Sequence, residues 1–457
     1  MTARKILYPA FLVFLLIHVS AVAQNNKAVG YMGLWYKFGK PYEYGYKFSG
    51  GMATFSSQHN PMAVYSPEVK KTFFVYCGTA GPDTTHVQIM ISYFDHRSHK
   101  VPRPVIVLDK MGVTDPQDNA TISVDHEGFL WVFVSGRART RPGYIFKSEL
   151  PWAIDNFKQV FSGEILFPQG WWMNDTTVLM MYTKLTRGRE IYWTAGKDGA
   201  PWASSGKLAG MGGHFQVTNV FGNRLYSVFS VCPNGNLDTR TNLYLVYTDD
   251  LGKTWRTIDD EIIQTPLVQV ENKAMIHDYR SEKKLVYIHD LNFDEDGNPV
   301  ILLLTSNDFR PGPGGEPREW VVISRRNGSW NFNKVCDMPH NYNLGSIYIS
   351  REDWRLIGPS DPGIAKYGTG GEMVLWTSTD KGGSWTKTMN ITSGSSYNNS
   401  YAKRPLNPDD EFYAFWSDGD AQKRSVSRIL FTNRKCNKVW MLPYSMKKDF
   451  ERPIRVK

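Results

Sequence analysis

The chain has 457 residues and a formal net charge of +9, long enough for two ordinary domains or one large β-fold. Aromatic residues make up 14% of it and glycine and proline are frequent. No long helical periodicity runs through it, which excludes a helical bundle or coiled coil and suits many short strands. Lysine and arginine are scattered rather than run together, which excludes a nucleic-acid-binding tail and leaves an anionic glycan as the natural partner of an exported basic protein.

The N-terminus reads as an export signal. Arg4 and Lys5 precede an apolar stretch from Ile6 to Ile17, and Ala21-Val22-Ala23 forms a small-residue cleavage site before Gln24. The apolar part is too short to span a bilayer comfortably, and no cysteine follows the cleavage site to carry a lipid. Residues 1–23 are therefore expected to be removed, leaving 24–457 as one periplasmic or secreted domain with no membrane attachment, expected to be a monomer. Cys77, Cys232, Cys336 and Cys436 are widely scattered, with no C-x-x-C pattern. Export permits disulfides, but free buried thiols are the expectation.

After the signal, one unit recurs. Its clearest copy is HDLNFDEDGNPVILLLTS from His289, where two apolar runs flank an Asp-Gly turn that needs the positive φ glycine tolerates. Other copies begin at His59, Gln117, Gln169, His214, His340 and Asn399. Hairpins repeated at roughly 40–60 residues predict an all-β, seven-bladed β-propeller with four-stranded antiparallel blades. A second signal follows some hairpins: TDDLGKTW (Thr248 to Trp255) and STDKGGSW (Ser378 to Trp385) match the Asp-box S/T-x-D-x-G-x-T/S-W. Degenerate relatives occur at Ser324 to Trp330 and Thr194 to Trp202. In this motif the aspartate caps a tight turn, glycine supplies the positive φ and tryptophan anchors the turn. Such boxes name the fold and not the chemistry.

GYMGLWYKFG, QHNPMAVYSPEVKKTFFVYCG, GHFQVTN, DTRTNLYLVYTDDLGKTW, HDLNFDEDGNPV and SYAKRPLN resemble the BNR-4 group of exported bacterial propellers over nearly the whole mature chain. The resemblance implies action on acidic plant or algal polysaccharides. Some members are lyases that cleave beside a uronic acid, as in ulvan. Others, in glycoside hydrolase family 145, are α-L-rhamnosidases that release rhamnose linked to glucuronic acid in arabinogalactan side chains. β-Elimination needs a base and an acid, for which histidine and tyrosine serve, and a cation for the uronate. The matching positions hold Gln117, Arg137 and Phe215, and glutamine and phenylalanine cannot carry that proton. The resemblance therefore favours the rhamnosidase branch, with catalysis on one early histidine instead of the usual carboxylate pair. His59 fits that description, and a position near Tyr46 to Phe48 is the other place it could fall. A lyase on the same glycans and a non-catalytic glycan-binding propeller are the alternatives.

In a propeller the innermost strands begin at one rim of the central channel, so His59, Gln117, Gln169, His214, His289, His340 and Asn399 are expected to share a mouth. One reading makes this a sugar pocket with His59 as acid/base; the other makes these side chains hydrogen-bonded pins between blades. No cofactor is required, although several histidines at one mouth could hold a structural metal ion in the channel. For the uronate carboxylate the candidates are Arg137, Arg139, Arg141, Arg240 and Lys403-Arg404, since arginine matches a carboxylate bidentately. Trp171 and Trp172 could stack on sugar rings, or pack within blades as most tryptophans here are expected to.

Overall fold

A computed structural model describes residues 25–457 apart from 53, 55, 82–86, 138–139 and 198–203. The signal segment, Arg139 and part of the Thr194–Trp202 box lie outside the described residues. Apart from short 3-10 turns the described chain is all β. None of its helices is long and apolar enough to cross a membrane.

Four-stranded antiparallel meanders follow one another along the chain. Ala120–Val124, Leu130–Val134, Gly143–Ser148 and Phe157–Gly163 form one sheet. Leu166–Trp172, Thr177–Leu185, Arg189–Lys197 and Ser204–Ala209 form the next. Leu285–Phe293, Pro299–Ser306, Glu319–Arg326 and Ser329–Asp337 form another. Ahead of these, Ala63–Ser66, Lys71–Gly78, Gln88–Asp95 and Val105–Asp109 pair in the same way and are widened by the hairpin Gly33–Tyr42/Gly45–Gly50. His214–Phe221, Arg224–Val231 and Thr241–Thr248 continue into the short pieces Trp255–Arg256 and Ile262–Ile263. Two last meanders open with Ser346–Ile349 and Asn398–Lys403 and merge into one sheet through the Gly371–Asn399 pair.

The first strands pack against one another in chain order from Ala63–Ser66 to Ser346–Ile349. Leu406, just beyond Asn398–Lys403, then forms a parallel bridge back to Val64. The fold is β-propeller-like, and the hairpin copies named from the sequence are its inner strand pairs. Pro299–Ser306 is buried along its whole length, as its unbroken apolar run requires. The Asp-Gly turn before it closes as expected: Asp294 Oδ1 accepts from the Asp296 and Asn298 amides, and Gly297 has φ +81°.

Both full Asp-boxes close identically. Thr248 and Ser378 hydroxyls donate to Asp250 and Asp380 at 2.9 and 2.7 Å and accept from the amides of Gly252 and Gly382. Trp255 is buried as expected, whereas Trp385 is half-buried. All four cysteines are free thiols.

A mouth framed by inner-strand starts is not what lies between the meanders. Gly51, Met52, Ser57 and His59 reach into that space. The Gly51 amide donates to Ser400 Oγ, Met52 O accepts from Asn119 Nδ2, and Ser57 Oγ donates to Ile288 O. Lys403 Nζ donates to His59 O at 3.1 Å. Backbone so placed brings its own unpaired N–H and C=O groups, which inner-strand side chains must satisfy.

Candidate functional site

The residues expected to ring the channel are all buried, and their polar atoms are mostly spoken for. His59 is 1% exposed; Nδ1 meets Thr54 Oγ1 at 2.7 Å and Nε2 meets Gln117 O at 3.2 Å. Gln169 accepts from the Thr218 amide and hydroxyl and donates to Gln216 O. His214 accepts from the Met211 amide, and its other nitrogen meets Ser230 O. His340 accepts from the Tyr342 amide, and its Nε2 meets Tyr46 O. Asn399 donates to Gly371 O and accepts from Trp416. Gln117 sits in a 3-10 turn ahead of its strand, capped by Asp115.

His289 does not open its strand. It lies in the middle of Leu285–Phe293, where the register breaks between Ile288 and Asp290. This bulge leaves His289 Nε2 buried and without a hydrogen-bond partner, beside a cavity of about 10 Å³ that Lys403 also lines. Burial is the main cause that pushes the imidazoles of His59, His289 and His340 down to about 3 and that of His214 to about 4. They are neutral at physiological pH. Among the described residues, no three of these histidines offer ligand atoms within reach of one ion.

The arginine candidates divide. Arg404 is buried and grips Asp290 with two bonds of 3.2 and 3.1 Å, so its fork is already occupied. Arg141 bridges Asp115 and Asp118, and Lys110 holds the other Asp118 oxygen at 2.9 Å. Arg137 is exposed, with one nitrogen 3.1 Å from Asp115. Trp171 donates to Thr218 and Trp172 packs edge-on to Trp131, so both serve blade packing.

Arg240 belongs to something larger. Cations and aromatic rings alternate from one meander to the next. The His59 ring lies 5.1 Å from Phe167. The Arg189 guanidinium sits between Phe167 and Phe215, at 5.6 and 5.4 Å. Arg240 sits between Phe215 at 3.9 Å and Tyr287 at 4.5 Å. At this end Arg240 Nη2 donates to the Tyr342 hydroxyl at 2.8 Å. Lys47 reaches in from the N-terminal hairpin, lies over Phe48 and Phe309, and pairs with Asp238. Rings pressed on cation faces hold the charges in place while leaving their edges to hydrogen-bond.

Local structure explains this convergence. Phe167 occupies a bulge between Leu166 and Gln169, and its φ of +53° is one that a large side chain adopts only when its surroundings hold it there. Arg189 opens the third strand of its meander, and Arg240 precedes the third strand of the next. First and third strands of an antiparallel meander run the same way, so their starts share an edge. Arg141 and Arg318 stand at the corresponding places one meander upstream of Arg189 and one downstream of Arg240, just ahead of Gly143–Ser148 and Glu319–Arg326. This recurrence, an arginine at or just ahead of the third strand in the four consecutive meanders from Ala120 to Asp337, was the signal available in the sequence for Arg189, which hairpin starts alone do not carry.

The electrostatics are one-sided. Among the described residues no carboxylate pairs with Arg189. Burial, with Arg240 and Arg137 adding repulsion, pushes it down to about 10, so it remains charged at neutral pH. Burial and Arg240 push the Lys47 amine down to about 7, with Asp308 acting the other way, while its nitrogen pairs with Asp238. Cys232, at the same edge, is pushed up to about 11 by burial and supplies no thiolate. The arrangement can seat an anion; a nucleophilic thiol it does not provide.

A family model for BNR repeat-containing proteins matches residues 86–338. The chain belongs to the BNR repeat-containing family. No curated protein matches this BNR repeat protein. Among solved structures it is similar to a polysaccharide lyase, ulvan lyase, at 13% identity and a TM-score of 0.69, over 90% of this chain and 96% of that one. The same kind of enzyme bound to -[GlcA(1-4)Rha3S]- matches at 13% identity and a TM-score of 0.68, over 83% of this chain and 92% of that one. At such identity the likeness establishes a shared fold.

Proposed function

We propose that this BNR repeat protein is an exported, seven-bladed β-propeller that acts on a uronate-bearing polysaccharide, with the carboxylate seated on Arg189 and Arg240 and flanked by Lys47 and Arg137. The observation that carries this reading is Arg189, a residue 8% exposed, its guanidinium fixed between two rings and, among the described residues, without a carboxylate partner. Burying an unpaired charge is costly, and a planar anion arriving from solution is the partner its fork is shaped for. Seven inner hairpins following one another around a threaded axis support the blade count. The ulvan lyase fragment, built of GlcA and Rha3S, supports the substrate class.

Of the possible reactions, exo-release of α-L-rhamnose linked to glucuronate is the one the sequence resemblance supports. In this reading His59 positions Phe167 and the Gln117 turn from within and does not touch substrate. A specific observation favours a second reading. The Tyr342 hydroxyl bonded to Arg240 puts a proton-bearing oxygen beside the carboxylate seat, as β-elimination requires.

The test is incubation of the mature protein with rhamnosyl-glucuronate oligosaccharides and with ulvan. Free rhamnose supports hydrolysis, an ultraviolet-absorbing unsaturated uronate supports elimination, and saturable binding without either product supports a binding module. If Arg189→Gln and the parent protein bind uronate glycans equally well, or neither binds, the carboxylate seat is wrong.

A further inference from the structure

A second cluster, separate from the alternating cations and rings, lies where the first and last meanders meet. His96 follows directly on the strand Gln88–Asp95, while Asp409 and Glu411 lie in the link leading to Ala414–Gly419. His96 Nδ1 is 3.0 Å from an Asp409 oxygen and 3.6 Å from a Glu411 oxygen. One ligand atom from each of the three lies within 4.8 Å of the other two. His99 brings a second imidazole, with Nδ1 3.2 Å from the same Glu411 oxygen.

The His96 ring is what separates this cluster from an ordinary acidic patch. Its side chain is 6% exposed. Nε2 is held by Thr72 Oγ1 at 2.8 Å, and the rings of Tyr65 and Phe94 wall the imidazole edge-on at 5.1 and 4.8 Å. Nδ1, aimed between the two carboxylates, has no hydrogen-bond partner. Nδ1 faces two carboxylate oxygens; in the tautomer whose Nε2–H donates to Thr72, it presents them a lone pair that a cation between the three would accept. A hydroxyl fixing the far nitrogen is the outer-shell support that metal-binding histidines usually have. Beside Glu411 and His99 a pocket of about 260 Å³ opens between Phe94, Phe431, Trp440 and Arg452, with room for water to complete a coordination shell.

We propose that His96, Asp409 and Glu411, with His99 within reach, bind a divalent transition-metal ion that clamps the first meander to the last. One or two imidazoles with carboxylates suit Zn²⁺ and disfavour Ca²⁺ and Mg²⁺, which prefer all-oxygen shells. The clamp lies where the chain must close its ring without a covalent tie, so binding raises the stability of the folded state. It is independent of the glycan-binding reading.

The test uses the mature protein freed of metal by chelation and dialysis, titrated calorimetrically with ZnCl₂ and followed by thermal unfolding. Saturable binding with a rise in Tm is expected from Zn²⁺, and neither from CaCl₂. Glu411→Gln, at a half-exposed position, is expected to abolish the Zn²⁺-induced rise while leaving the metal-free Tm unchanged. Thr72→Val is expected to weaken Zn²⁺ by roughly 10-fold or more through the lost support of Nε2. Absence of saturable Zn²⁺ binding, or equal binding by Glu411→Gln and His96→Asn, would show a plain ion-pair cluster and overturn the proposal.

Discussion

The guanidinium carbon of Arg240 lies 3.9 Å from the centroid of the Phe215 ring, and that of Arg189 lies 5.4 Å from the same centroid. Phenylalanine at this position is a spacer. It keeps two like charges apart and offers each an aromatic surface, while the edge of Arg240 donates to Leu237 O and the Tyr342 hydroxyl. Where the resemblance to lyases puts a tyrosine, Phe215 carries no proton; in the fold its ring lies beside both guanidiniums.

Arg189→Gln separates function from stability. Removing an uncompensated buried charge is expected to leave the urea midpoint unchanged or raise it, since the folded state loses a desolvation cost with no ion pair to give up. Affinity for a uronate oligosaccharide is expected to fall at least tenfold, about 1.4 kcal/mol. Parallel denaturation and calorimetry check both halves. A fall in stability as large as the fall in affinity would mark Arg189 as structural.

Phe215→Leu keeps an apolar side chain and removes the π face. Two cation–aromatic contacts are lost, expected to cost about 1–2 kcal/mol of stability. Glycan affinity is expected to weaken as well, because both guanidiniums lose their orientation. Binding equal to that of the parent protein would mean that the ring merely fills space.

The buried histidines make the fold acid-sensitive. His59, His214, His289 and His340 have folded pKa values of about 3 to 4, against about 6.5 when unfolded. Below pH 6.5 the unfolded chain takes up protons that the folded chain refuses. Stability is therefore full above pH 6.5 and declines as pH falls toward 4, by about 1.4 kcal/mol per pH unit for each histidine. Denaturant midpoints across this range measure the slope, and His59→Gln is expected to reduce it. A midpoint independent of pH between 6 and 4 would contradict the neutral, buried placement.

Asp290 links three meanders. It pairs with Arg404 from the last and accepts the Ile347 amide from the one before, while belonging itself to Leu285–Phe293. Asp290→Ala is expected to destabilise the protein by about 3–5 kcal/mol, because it strands a buried guanidinium. Replacing both partners with apolar residues is expected to recover much of that loss. Equilibrium denaturation of the two variants measures the difference.

The amino-acid sequence by itself determined the hairpins. Apolar alternation, the Asp-Gly turn after Phe293 and the two Asp-boxes depend on neighbours within a few residues, so they are legible locally and the strands formed where they were expected. Arg240 and Arg137 were legible as candidates because arginine suits a carboxylate, but nothing local distinguished them from Arg404, whose fork is filled by an aspartate 114 residues away. Nor could the sequence tell that Gly51, Met52, Ser57 and His59 reach into the space between the meanders, where an expected rim of polar side chains becomes buried pins. Arg189 and Lys47 became site residues only in three dimensions, where strand starts on separate meanders share an edge and a bulge at Phe167 turns a ring toward them. Short-range patterning decides which segments become strands; which charges find partners, and which are left to seek one in solution, depends on contacts between residues far apart in the chain.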